Sequence, residues 1–190
     1  EYTDRLYVVK DIIENWGPVN VTSNITGYLW SKLAYASLLY ATALVDETMS
    51  AVTSNTELRP ALTELCAETL EVADLIGIKL ESFDTWRPEL IYPRNCDVKK
   101  LNEHFDCIAL WMSKNKKQKS GIWRDLAIRK RKTEVEFDLV PILELGREYG
   151  LKLPLTSFVI QRINELEAGR TTMSWENLYE LQALYEKIKQ

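Results

Sequence analysis

Histidine occurs once, as His104, and that scarcity sets the first limit on what the chain does. A Ser-His-Asp triad or a multi-histidine metal site needs more imidazole than the sequence supplies. Cysteine is scarce too: Cys66, Cys96 and Cys107 are odd in number and form no Cys-x-x-Cys pair, so reduced thiols and a cytoplasmic location are expected. Long hydrophobic runs are missing. The longest weakly charged one, Leu33 to Val45, is interrupted by Tyr35, Ser37, Tyr40 and Thr42, and falls short of the roughly 20 residues a bilayer span requires. No repeat, heptad pattern or low-complexity segment is present, and no Gly-x-Gly-x-x-Gly that would cradle a dinucleotide. Any chemistry falls to lysine, carboxylates, serine or a cofactor.

What is present suits an ordinary globular chain: 190 residues, 46% hydrophobic and 27% charged, enough to bury one core. The net charge of −4 argues against general nucleic-acid binding. Nevertheless nine lysines and arginines crowd between Lys114 and Lys132 with Asp125 alone opposing them, a local positive field on an acidic protein. A solvated face, an anion site and a nucleic-acid contact all fit such a cluster. Trp123 is its single interleaved aromatic within the Ser120 to Glu134 stretch, which leaves the nucleic-acid reading weakest.

Helical periodicity dominates the rest. Tyr2 to Trp16 places Leu6, Val9, Ile12 and Ile13 on one face before Gly17-Pro18 stops it, and Val19 to Val21 reads as a very short strand. A strand of three residues needs a partner for its backbone, so residues 1–21 are expected to be the tail, helix plus strand, of a sheet-containing domain. From Ile25 a long helix runs to Val45, capped near Asn24, with Lys32, Ala36 and Tyr40 sharing one face at i, i+4 and i+8. The spacing predicts further helices over Glu57 to Ile76, stopped by Gly77; over Val98 to Met112 behind Asp97; from Glu134 toward Gly150 with a kink or restart at Pro141 and Asp138 as its cap; from Pro154 to Ala168; and from Trp175 to Lys189. Glu64, Glu68, Glu71 and Asp74 are expected to face solvent. Residues 81–95 read as irregular, and Thr133 as the cap that brings Glu134 to a helix start. The whole is expected to be an all-α multi-helix bundle over residues 22–190.

Four pieces in order, Trp30-Ser-Lys32-Leu, the Glu57 to Gly77 helix, Asp125-Leu through Lys132-Thr-Glu134, and Gly146-Arg-Glu-Tyr-Gly150-Leu-Lys-Leu-Pro154, resemble the C-terminal domain of ketopantoate reductases (2-dehydropantoate 2-reductases). The resemblance implies the fold of the 6-phosphogluconate dehydrogenase C-terminal domains, preceded by a Rossmann domain that binds NADPH and of which residues 1–21 would be the end. It implies Lys32 as the catalytic general acid, Glu134 as the active-site glutamate and Ser120, offset by about one position, as a substrate-binding serine. Asp125 to Glu134 is one residue longer than the family spacing. The family's asparagines four and eight residues after the lysine are replaced by Ala36 and Tyr40, of which Tyr40 keeps a hydrogen-bonding group. That exchange points to a 2-oxo acid other than ketopantoate, or to lost catalysis.

Three functions follow as expectations: the substrate-binding half of an NADPH-dependent 2-oxo acid reductase with a possible homodimer, the chain being inactive by itself; a non-catalytic helical dimerisation module; and a nucleic-acid binder resting on the cationic cluster. The third is checked most simply. With a net charge of −4 the protein should leave heparin at low salt, and strong, salt-sensitive retention would reinstate nucleic acid as a partner.

Overall fold

The computed structural model describes residues 3–190, so that Tyr2, expected to open the first helix, lies outside the described residues. Its elements are α1 (Asp4–Glu14), α2 (Ile25–Thr42), α3 (Met49–Ser54), α4 (Arg59–Leu75), α5 (Val98–Lys114), α6 (Gly121–Arg124), a π-helical turn over Asp125–Arg129, α7 (Val135–Asp138), α8 (Val140–Glu148), α9 (Pro154–Glu167) and α10 (Trp175–Lys189). The described chain is all-α. Its one β interaction is an isolated antiparallel bridge between Phe83 and Trp86. The strand expected at Val19 to Val21 is absent: those residues are irregular, since two β-branched side chains in alternation cannot hold a strand without a neighbour.

α4 is the centre. Its buried residues, from Arg59 through Ala73, point to every side, and α2, α8, α9 and α10 pack round it. Ala34, Ser37, Leu38 and Ala41 let α2 approach closely, and there the Ser37 and Thr69 hydroxyls meet at 3.1 Å. α3 and α5 form a second pair, joined to α4 by Arg59, whose guanidinium donates to the Thr53 carbonyl and to the carbonyl and side chain of Asn102. A sequence period could not announce α3, which has only six residues and three hydroxyl-bearing ones among them.

Boundaries follow local chemistry. Asn24 caps α2 by accepting from Gly27 N at 3.2 Å, and its amide also donates to the Lys79 carbonyl and Glu81. Any Cβ at Gly27 would lie 2.1 Å from that Lys79 oxygen, so glycine is required where the connection after α4 crosses α2. Gly77 takes φ +74° at the end of α4 as a left-handed stop. The expected restart at Pro141 is present as the break between α7 and α8, but Asp138 does not cap it; Leu139 occupies that position without a side-chain bond.

The acidic residues of α4 correct a simple expectation. Glu64 and Glu71 reach solvent only in part and pair with Arg94 at 2.8 Å each, and Asp74 accepts from the Tyr92 hydroxyl. Glu68 is 2% exposed and caps another helix: it accepts from Leu155 N (2.9 Å), Thr156 N (2.7 Å) and Thr156 Oγ (2.6 Å) at the start of α9. Burial pushes its carboxyl up to about 7, against the three donors that favour the charged form.

A group whose folded pKa lies above its ordinary 4.5 stabilises the fold fully below that value, and the contribution is lost as pH rises toward about 7. Urea unfolding at pH 4.5 and pH 7.5 should therefore show lower stability at the higher pH from this group. Glu68→Gln should flatten that difference; an unchanged slope would place the titration elsewhere.

Candidate functional site

A cleft of ≈ 670 Å³ opens between α2 and the Lys117 to Asp138 region. α2 presents Leu29, Lys32, Leu33, Ala36, Leu39 and Tyr40 to it at helical spacing. The opposite side brings Lys117, Gly121, Ile122, Asp125, Arg129, Arg131, Glu134 and Asp138. Three of the four site residues expected from the sequence, Lys32, Tyr40 and Glu134, thus meet on one concave surface. Lys32 and Glu134 are exposed at it, whereas Tyr40 is buried beneath.

Ser120 is not brought to the cleft. It is 2% exposed and its Oγ accepts from Trp123 N at 3.1 Å as the cap of α6. Its neighbour Gly121 lines the cleft instead, without a side chain. The helix continues from Gly121 into the π-helical turn, in which the Lys130 N–H reaches back to the Asp125 carbonyl and Lys130 closes at φ +50°. A π turn takes up one more residue than an α turn, so this segment has room for the longer Asp125 to Glu134 spacing that the resemblance implies.

Glu134 is fixed from behind. The Thr133 N–H and Oγ both donate to Glu167 Oε1 at 2.7 Å, at the C-terminal end of α9, and Thr133 Oγ accepts from Val135 N at 3.3 Å. The N-cap of α7 is Glu134 and not Thr133 as expected, and Thr133 precedes it with its hydroxyl bonded to Val135 N. The cationic run is partly neutralised. Arg129 donates to Asp125 at 2.9 Å and Arg131 donates to both of its oxygens at 2.9 and 3.2 Å. Arg131 first, then Arg129, hold the Asp125 carboxyl below the usual carboxylate range. Lys119 pairs with Asp46, which also accepts from the Trp123 indole at 2.8 Å, and Lys132 pairs with Glu136 at 3.5 Å.

Sequence reasoning took Asp138 for a cap and missed its place in the cleft. Tyr40 OH donates to Asp138 Oδ2 at 2.9 Å. Burial, and then the Asp138 carboxylate, push the Tyr40 phenol far above its ordinary value, so it remains a neutral donor whose proton is committed to Asp138. The available signal was Asp138 four residues after Glu134, the spacing that puts two carboxylates on one helical face. The lone histidine plays no part in the cleft: His104 packs against Trp86 with ring centroids 5.8 Å apart, and burial pushes it down to about 4. Among the described residues no group of histidines, cysteines or carboxylates is placed to hold a metal, and no helix is long and apolar enough to cross a membrane.

The family model described as ketopantoate reductase PanE/ApbA C terminal matches residues 24–167. Two solved structures share the fold. A PanE/ApbA family ketopantoate reductase from Ralstonia eutropha JMP134 aligns with TM-score 0.67 and 18% identity, over 88% of this chain and 50% of that one. A D-mandelate dehydrogenase solved with NADH and anilino(oxo)acetate aligns with TM-score 0.65 and 16% identity, with the same two coverages of 88% and 50%. The chain thus spans about half the length of these structures. No curated protein matches it.

Tyr40→Phe tests the buried link directly. Removing the hydroxyl leaves Asp138 without its donor and should cost about 1–3 kcal/mol in chemical denaturation; a variant as stable as the parent would show that the bond contributes nothing.

Proposed function

We propose, since the chain belongs to the PanE/ApbA ketopantoate reductase C-terminal family, that it is the substrate-binding half of a 2-oxo acid reductase that uses a nicotinamide nucleotide. The observation that carries this reading is the meeting of Lys32 and Glu134, far apart in sequence, on one cleft. A surviving fold without chemistry, the dimerisation module, gives no reason for that convergence.

The reduced nucleotide, NADPH by family likeness, supplies hydride to the substrate carbonyl carbon. This chain's residues do the rest. The Lys32 ammonium stabilises the alkoxide that develops on the carbonyl oxygen and gives it a proton, yielding the 2-hydroxy acid; solvent at its exposed position restores the proton. Glu134, held by the Thr133–Glu167 bonds, accepts from substrate and cofactor groups and orients them. Tyr40 acts through Asp138 rather than by direct contact. Ser120 acts from behind, by holding the start of α6. The described residues contain no glycine-rich phosphate turn, so the nucleotide falls mainly to an N-terminal Rossmann domain of the same protein. The apolar side chains exposed on α1 and just after it, including Ile12 at 66% and Trp16 at 93%, support such a neighbour. Three free thiols fit a cytoplasmic protein.

Leu29, Leu33, Ala36, Leu39 and Ile122 give the cleft an apolar wall. A substrate hydroxyl next to Ala36 would find no partner, which favours a 2-oxo acid with an apolar side chain over ketopantoate. The fold relative solved with anilino(oxo)acetate supports the same direction.

The test is a panel of 2-oxo acids offered to the full-length protein with NADPH and with NADH. Apolar substrates should lead, and Lys32→Ala should lower kcat by about 10²-fold or more, with Glu134→Ala also impaired and both variants folded. Ketopantoate as clearly the best substrate would remove the apolar assignment. Undiminished turnover by Lys32→Ala would remove the mechanism.

A further inference from the structure

The cleft is lined by four cations, and they are not equally free. Arg129 and Arg131 are both held by Asp125, with three hydrogen bonds of 2.9, 2.9 and 3.2 Å. Their charge is partly cancelled and their donors are directed at that carboxylate. Lys32 and Lys117 are the two cleft cations that no carboxylate among the described residues pairs with.

Lys117 has a definite place. It stands exposed in the loop between α5 and α6, and its Nζ is 3.8 Å from the point where a Cβ on Gly121 would lie. Gly121 lines the cleft with no side chain of its own, and the ammonium stands in contact distance of the position where one would begin. The loop that carries it is pinned by the two residues that follow it. The Gln118 carbonyl accepts from Met49 N at 2.9 Å, and Lys119 Nζ stacks on the Trp123 ring at 4.3 Å while paired to Asp46.

A 2-oxo acid brings two oxygen functions, a carbonyl that acquires negative charge during reduction and a carboxylate that is negative throughout. One lysine cannot serve both. The ammonium that yields its proton to the alkoxide becomes neutral at that moment and would release the carboxylate as the product forms. A second cation that keeps its charge through the reaction would hold the carboxylate from substrate to product. On the 2-oxo acid reductase reading, we infer that Lys117 is that cation: its Nζ, seated over Gly121, binds the substrate carboxylate while Lys32 attends to the carbonyl oxygen.

The experiment uses the full-length, NADPH-loaded protein with 4-methyl-2-oxopentanoate and its methyl ester, in which the carboxylate charge is removed. Lys117→Met should raise KM for the acid roughly ten- to hundredfold, the loss of a charge-assisted hydrogen bond, with kcat changed by no more than about threefold. KM for the ester should not respond, and Lys117→Arg should recover most of the acid's KM. An unchanged KM for the acid, or equal losses for acid and ester, overturns the assignment. If the parent reduces no 2-oxo acid, the reductase reading itself fails, and calorimetric titration with non-reducible oxamate decides Lys117 separately. Tighter binding by the parent than by Lys117→Met supports the site; equal affinity, or no binding by either, overturns it.

Discussion

A helix buried over most of its surface must find partners for its inward polar groups inside the protein, and α4 is such a helix. An unpaired polar group buried there would cost on the order of 1–3 kcal/mol, so each of its buried polar residues dictates where something else must stand. Thr69 fixes α2 through Ser37, Glu68 fixes the start of α9, and Arg59 fixes α3 and α5. The cleft inherits these positions. Lys32 is carried on α2, one turn before Ser37, and Glu134 is held through Thr133 by Glu167 at the far end of α9. Both groups proposed for the chemistry therefore depend on polar contacts made by a helix that does not itself line the cleft.

Charge is organised by the same logic of satisfaction. Read along the chain, the segment from Lys114 to Lys132 is a cationic block opposed by one carboxylate. In three dimensions Asp46, from the loop after α2, and Glu136, one turn into α7, join Asp125 in neutralising it. Four of the nine cations, Lys119, Arg129, Arg131 and Lys132, are paired in this way, and of the other five only Lys117 lines the cleft.

Much of this was legible in sequence because α2, α4, α5, α9 and α10 are long enough for their apolar period to show, and because Asp97, Gly77 and Pro154 mark ends by local chemistry. The Lys32, Ala36, Tyr40 face was readable from spacing alone, and the structure turns it to one cleft. What escaped depended on partners remote in the chain. Glu68 looked solvent-facing because its donors lie 87 and 88 residues later. Asp138 looked like a cap because Tyr40 lies 98 residues earlier. Val19 to Val21 offers local alternation, and within the described residues it has nothing to pair against.

The π-helical turn at Asp125–Arg129 separates two parts of the cleft wall that would otherwise be geared together. In an uninterrupted α-helix, gaining or losing a residue rotates everything on one side of the change by about 100°, the angular step implied by 3.6 residues per turn. A π turn absorbs such a change locally. The segment bearing Ser120 and Gly121 can then keep its face to the cleft when the connection changes length, while Thr133 and Glu134 stay anchored to Glu167. The two walls of the cleft are thus mechanically independent, so a change of length between them need not disturb the acidic residue on the far side.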